Sequence, residues 1–149
     1  MGVSGFVHAG VVVDDLAAVV RFVRLLGFDC GDPMTVEGEW VDRIIGLPDA
    51  RVEAVMVRLP DGSDTLELVK FHAPPAEADG NGAPAPANRL GIRHLAFKVD
   101  DLHAVVDRMR AAGWDTVGEI VDYEGIFLLC YLRGPEGLIF ELAEPLRGS

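Results

Sequence analysis

Four residues of this 149-residue chain combine a type and a placement that could do chemistry: His8 in FVHAGVVV, Glu67 in LEL, His94 in IRHLAFKV and Glu141 in FEL. Each interrupts an apolar run, and a carboxylate inside such a run is costly unless it is paired or coordinated. Two carboxylates and two imidazoles, if they converge, make a mixed oxygen and nitrogen donor set for a divalent metal without thiolate. The alternative is four polar residues, each satisfied on its own. Symmetry favours the metal. One His and one Glu recur at matching places in two halves of the chain, the glutamates five residues after Gly62 and four after Gly137.

The halves are a repeat. HAGVVVDDLAAVVRFVRLLGFD (8–29) laid over HLAFKVDDLHAVVDRMRAAGWD (94–115), at a constant offset of 86, agrees at 11 of 22 positions: His, Val, Asp, Asp, Leu, Ala, Val, Val, Arg, Gly and Asp. Unrelated segments agree at about one position in fifteen or twenty, so the match marks a duplicated unit.

Elements that would position the four residues follow from each unit. Residues 6–13 and 92–99 are β-rich and bounded by polar residues, which predicts strands. Asp14 and Asp100 then stand where an N-cap is wanted. Capping accounts for the acidic pairs without any catalytic role. Leu16, Val19, Val20, Val23 and Leu26, and again Leu102, Val105, Val106 and Met109, form the stripe of a helix with one buried face. Gly27 and Gly113 close both helices. Further strands are predicted at 34–40, 51–59 and 64–71 in the first unit and at 116–122, 126–133 and 138–144 in the second. The turns RLPDG and RGPEG join the last two strands of each unit.

The expected fold class is therefore α+β: two tandem β-α-β-β-β modules forming a cupped, mixed eight-stranded sheet with helices on the outside. Module one covers 5–72 and module two 91–145 of a single domain. The linker 73–90 carries four prolines and two glycines and reads as flexible. Residues 41–50 have no counterpart in module two and read as a short helix or a loop.

Composition excludes some classes of partner. The formal charge is −11, from 24 acidic and 13 basic residues. That argues against a nucleic-acid surface, which needs basic side chains to displace counterions, and against docking on anionic lipid. No signal peptide is evident, and the run IFLLCYL is far too short to span a bilayer. Cys30 and Cys130 form no CxxC and read as buried free thiols, in keeping with a reducing cytoplasm.

The doubled β-α-β-β-β unit with His/Glu/His/Glu at these places resembles the vicinal oxygen chelate superfamily. That group includes glyoxalase I, methylmalonyl-CoA epimerase, extradiol dioxygenases, and bleomycin- and fosfomycin-resistance proteins. The motifs that carry the resemblance are HAGVVVDDL, the LEL around Glu67, HLAFKVDDL and RGPEGLIFEL, and it covers the chain apart from the linker and the last few residues. It implies that the two units face a shared divalent metal held by His8, Glu67, His94 and Glu141. It also implies that Glu67 or Glu141 shuttles a proton as in the glyoxalase-like members, and that the chain forms a homodimer. Glu39 is a weaker candidate, by analogy with the epimerases, and its plainer reading is an exposed strand residue.

The expected activity is that of a metal-dependent lyase or isomerase of glyoxalase or epimerase type, acting on a small carbonyl substrate through an enolate. Two imidazoles and two carboxylates leave about two open positions on an octahedral ion, which suits neighbouring oxygens. The metal is one of Zn, Ni, Co, Mn, Fe or Mg. An extradiol dioxygenase is the alternative, disfavoured because Glu67 would occupy a position needed for catechol or dioxygen. A metal-free antibiotic-binding cup is the second alternative, disfavoured by the presence of all four donors. Trp40, Phe71, Phe127 and Tyr131 are candidates to line the substrate pocket, and each reads equally as core. Arg58 and Arg133 read either as anion binders or as surface hairpin residues. His72 points away from Glu67 by strand alternation, and His103 reads as solvent-facing.

Overall fold

The computed structural model describes residues 1–78 and 84–146, and the chain divides into two compact units, 1–80 and 81–149. The first contains β1 (Ala9–Val12), α1 (Leu16–Leu26), β2 (Asp29–Cys30), β3 (Met34–Glu37), α2 (Glu39–Ile45), β4 (Arg51–Arg58) and β5 (Asp64–Ala73). Its five strands run β1-β5-β4-β2, with β3 also paired to β4. The second contains β6 (Leu95–Lys98), α3 (Leu102–Ala111), β7 (Val121–Tyr123), β8 (Phe127–Arg133) and β9 (Ile139–Pro145), in the order β6-β9-β8-β7. Both units are mixed sheets: β1 pairs parallel to β5 and β6 parallel to β9, whereas the remaining pairs are antiparallel.

One helix covers one face of each sheet, and that interface is the core. Leu16, Val19, Phe22 and Val23 of α1 are buried with Val55, Val57, Leu66 and Leu68 of the sheet. In the second unit Leu102, Val106 and Met109 of α3 are buried with Cys130, Leu132, Phe140 and Leu142. Fully burying such side chains contributes about 1.5–3 kcal/mol each. Leu16, Val19 and Val23 of the predicted stripe are buried, and so is Phe22, an aromatic residue between arginine and valine that lies outside that stripe.

Several boundaries differ from those expected. The helix caps are Asp15 and Asp101, not Asp14 and Asp100: their carboxylates accept from the N–H groups of Ala18 (3.0 Å) and Ala104 (2.9 Å). The reason lies in the strand. Val13 and Val99 still donate to the neighbouring strand, at Val69 and Ala143, so the helix begins one residue later. Gly27 and Gly113 do close the helices, with φ of 108° and 94°. Phe28 N–H reaches Val23 O and Gly27 N–H reaches Arg24 O; Trp114 and Gly113 repeat the pattern on Met109 and Arg110. Both ends are Schellman motifs, which need the left-handed conformation glycine adopts without strain.

The strand expected over 34–40 stops at Glu37, because Gly38 (φ 123°) turns the chain into α2. The Asp42 carboxylate then accepts from Asp49 and Ala50 N–H (2.9 and 2.8 Å), tying α2 to the start of β4. Segment 116–122 contributes only β7 and a single bridge from Thr116 to Leu132. The two-residue β2, alongside β4, brings the total to nine strands in sheets of five and four, rather than eight. Within the linker, residues 79–83 lie outside the described residues. Its second half is fastened to the second unit: Ala85 O accepts from Arg93 (3.0 Å) and Arg133 (2.8 Å).

Candidate functional site

His8 and His94 each stand just before the first strand of their unit, and the two glutamates lie inside β5 and β9. Register makes the equivalence complete. Glu67 is opposite Gly10, two residues after His8, and Glu141 is opposite Ala96, two residues after His94. On the other side Glu67 faces Met56 and Glu141 faces Tyr131. The one-residue difference in spacing from Gly62 and Gly137 is absorbed inside β5, where Val57 pairs with Leu66 and Arg58 with Asp64 so that Thr65 is an extra residue, whereas β9 runs from Ile139 to Glu141 without a shift.

Strand alternation puts both glutamates on the sheet face away from the helix, since their neighbours Leu66, Leu68, Phe140 and Leu142 are buried in the core. A carboxylate on that face stays partly hydrated and avoids the cost of full burial. In the first unit His8 Nε2 lies 3.4 Å from Glu67 Oε2, with side-chain exposures of 31% and 34%. That pair is reachable by a ligand. In the second unit the His94 ring lies against Tyr131, centroids 4.8 Å apart and planes tilted by 35°. Tyr131 and Glu141 are cross-strand partners, so the aromatic ring stands beside both proposed donors.

The other candidates separate by face. Phe71 shares the Glu67 face by alternation along β5, and Phe127 shares the Glu141 face with Tyr131 along β8. Trp40 does not join them: it belongs to α2, not to a strand, and is 61% exposed. Glu39 is likewise the exposed first residue of α2. Arg58 forms an ion pair with Asp64 across the hairpin (2.9 Å), and Arg133 is committed to Ala85. Both arginines thus have structural partners. His72 lies on the opposite face from Glu67, 3.9 Å from Glu53, and His103 is exposed on α3.

Two residues on the site faces were not singled out by sequence: Met56 opposite Glu67, and Lys98 on the Glu141 face. Only the pairing register reveals them. Burial pushes the Cys130 thiol up to about 11, and pushes Cys30 up as well, where Arg24 opposes it. Both are protonated thiols at neutral pH.

Each unit by itself offers one imidazole and one carboxylate, which is half of a four-donor set. Among the described residues, no three His, Cys, Asp or Glu side chains gather into a metal-holding group. The donor chemistry nonetheless fits a divalent ion: two carboxylates balance its charge, and neutral imidazoles complete a set of borderline character.

A family model described as the Glyoxalase/Bleomycin resistance protein/Dioxygenase superfamily matches residues 5–142. Among solved structures, a glyoxalase family protein from Bacillus cereus is 36% identical, with a TM-score of 0.89, covering 99% of this chain and 97% of that one. The trypanothione-dependent glyoxalase I of Leishmania major is 19% identical, with a TM-score of 0.67 over 95% and 87% of the two chains. A glyoxylase/bleomycin resistance protein/dioxygenase domain from a Frankia species is 18% identical, with a TM-score of 0.65 over 99% and 96%. At 18 and 19% identity the likeness is one of fold. No match is found among curated proteins.

Proposed function

We propose a glyoxalase-type enzymatic function for this chain, which belongs to the Glyoxalase/Bleomycin resistance protein/Dioxygenase superfamily: a metal-dependent lyase or isomerase that acts on a small carbonyl compound through an enolate. The observation that carries the proposal is the repeated register, which gives each unit one His and one Glu at equivalent places on an open sheet face. His8, Glu67, His94 and Glu141 would hold one divalent ion, with the two pairs supplied by one chain or by two copies in a homodimer. When bound, the ion supplies Lewis acidity toward neighbouring substrate oxygens.

The proton chemistry belongs to the chain's own residues. Glu67 or Glu141 takes the proton from the carbon beside the carbonyl and returns it at the product position, a general-base and general-acid role that needs a carboxylate within hydrogen-bond reach. Both lie on exposed faces where a substrate can approach. Phe71, Phe127 and Tyr131 supply apolar surface on the same faces and limit water around the reacting carbon. The free thiols Cys30 and Cys130 fit a reducing compartment, and we assign the protein to the cytoplasm. No helix of the described residues is long and apolar enough to cross a membrane.

The test is solvent deuterium incorporation into a panel of small 2-hydroxy- and 2-oxocarbonyl compounds, followed by NMR. The protein is stripped and reloaded separately with each candidate metal. Exchange with zinc, nickel, cobalt, manganese or magnesium, lost in both Glu67→Gln and Glu141→Gln, supports the proposal. Metal uptake without exchange on any compound overturns it. Dioxygen consumption with a catechol in the iron-loaded form alone would make the chain a dioxygenase, and absence of metal uptake would make it a binding protein.

A further inference from the structure

We infer that Lys98 anchors an oxyanion, a carboxylate or phosphate, at the far end of the substrate. The molecule handled here is then an anionic hydroxy- or oxocarbonyl compound; this rests on the function proposed above. Along β6 exposure alternates, with Leu95 and Phe97 half-buried and Ala96 and Lys98 exposed. Phe97 stacks on the buried Phe140, centroids 5.8 Å apart. Lys98 therefore leaves the sheet on the opposite side, the side of Glu141.

The register fixes the spacing. Ala96 is opposite Glu141 and Lys98 is opposite Ala143. The two corners of this patch that separate the carboxylate from the ammonium are therefore both alanine. Their methyl groups make a low floor, and one two-residue strand step measures about 6.6 Å. A substrate whose reacting oxygens reach the level of Glu141 then presents a group roughly five bonds of extended chain away at the level of Lys98.

Charge points the same way. Among the described residues no carboxylate pairs with Lys98, although the chain carries 24 acidic residues. The other cation on this face, Arg133, is committed to the Ala85 carbonyl. The duplication does not require a lysine here, because the equivalent residue of the first unit, at the offset of 86, is Val12. A lysine on an edge strand also discourages strand addition, and β6 is an edge of its sheet. That role predicts no preference for anionic ligands, so the two roles can be separated by binding.

The experiment uses the full chain loaded with one equivalent of cobalt(II) and titrated calorimetrically with three hydroxamates, which chelate through neighbouring oxygens. The first is the monohydroxamate of succinic acid, the second its neutral terminal amide, and the third the corresponding terminal phosphonate. We expect the carboxylate or the phosphonate to bind about five- to tenfold tighter than the amide, the yield of one partly exposed charge-assisted contact. The preference should vanish in Lys98→Met and return in Lys98→Arg, while affinity for the amide stays constant across all three proteins. The stronger of the two anions identifies which oxyanion the site takes. Equal binding of all three probes, or a preference that survives Lys98→Met, overturns the inference and leaves the proposed function standing. Failure of every probe to bind, the amide included, overturns the metal-dependent function and this inference with it.

Discussion

His8→Ala separates what the imidazole does for the fold from what it does for a metal. Without metal its only polar partner among the described residues is Glu67, at 3.4 Å, and both side chains are about one-third exposed. A partly exposed pair of this kind contributes no more than about 1 kcal/mol. For a chain of this size that corresponds to a fall in Tm of at most about 2–4 °C. With metal at a hundredfold excess over its dissociation constant, the wild-type chain gains about 2.7 kcal/mol, a rise of about 5–11 °C on the same scale. Changes to residues that merely support a ligand cost about 10–100-fold in metal affinity, and loss of a donor costs more. A hundredfold loss leaves the variant at its dissociation constant under the same conditions, where the gain is only about 0.4 kcal/mol. The assay is scanning calorimetry of wild type, His8→Ala and His94→Ala, with chelator and with metal. Both variants should melt near the wild type in chelator, and both should lose the metal-induced rise. An unchanged rise in either variant refutes the shared donor set. A fall beyond 10 °C in chelator refutes the claim that His8 is peripheral to the fold.

Asp15→Ala and Asp101→Ala should each cost about 1 kcal/mol in urea denaturation, whereas Asp100→Ala should cost less than half of that, because only the second aspartate of each pair caps its helix. Cys130 should resist iodoacetamide in the native protein at pH 8 and react only as the pH approaches its raised value of about 11. Because the folded state holds that proton above the ordinary thiol value, stability should decline between about pH 9 and 11 and the decline should flatten in Cys130→Ala, read as the denaturation midpoint against pH.

The duplicated scaffold was legible from the sequence because the repeat preserves what the fold depends on: the cap, the helix stripe and the closing glycine. Phe22 escaped because a strict heptad-like stripe passes beside it, and only packing shows that the buried face of α1 is wider. Asp14 is the expected cap and Asp15 the actual one, a difference not readable locally, since the helix start depends on a hydrogen bond from Val13 to Val69, 56 residues away. Trp40 looked like part of a strand because MTVEGEW alternates well enough; the positive φ of Gly38 decides otherwise. His8, Glu67, His94 and Glu141 were visible as interruptions of apolar runs. Lys98 was not, because a lysine in an edge strand carries no local signal, and its relation to Glu141 exists only in the β6–β9 register.

The most direct measurement is the metal content of tag-free protein and of its His8→Ala and His94→Ala variants, by elemental analysis after reloading and dialysis. A shared donor set gives about one tightly held divalent ion per chain in the wild type, and none retained by either variant, although the two histidines belong to different units. Full retention of metal by either variant, two ions per chain, or no uptake by the wild type under any loading would contradict it.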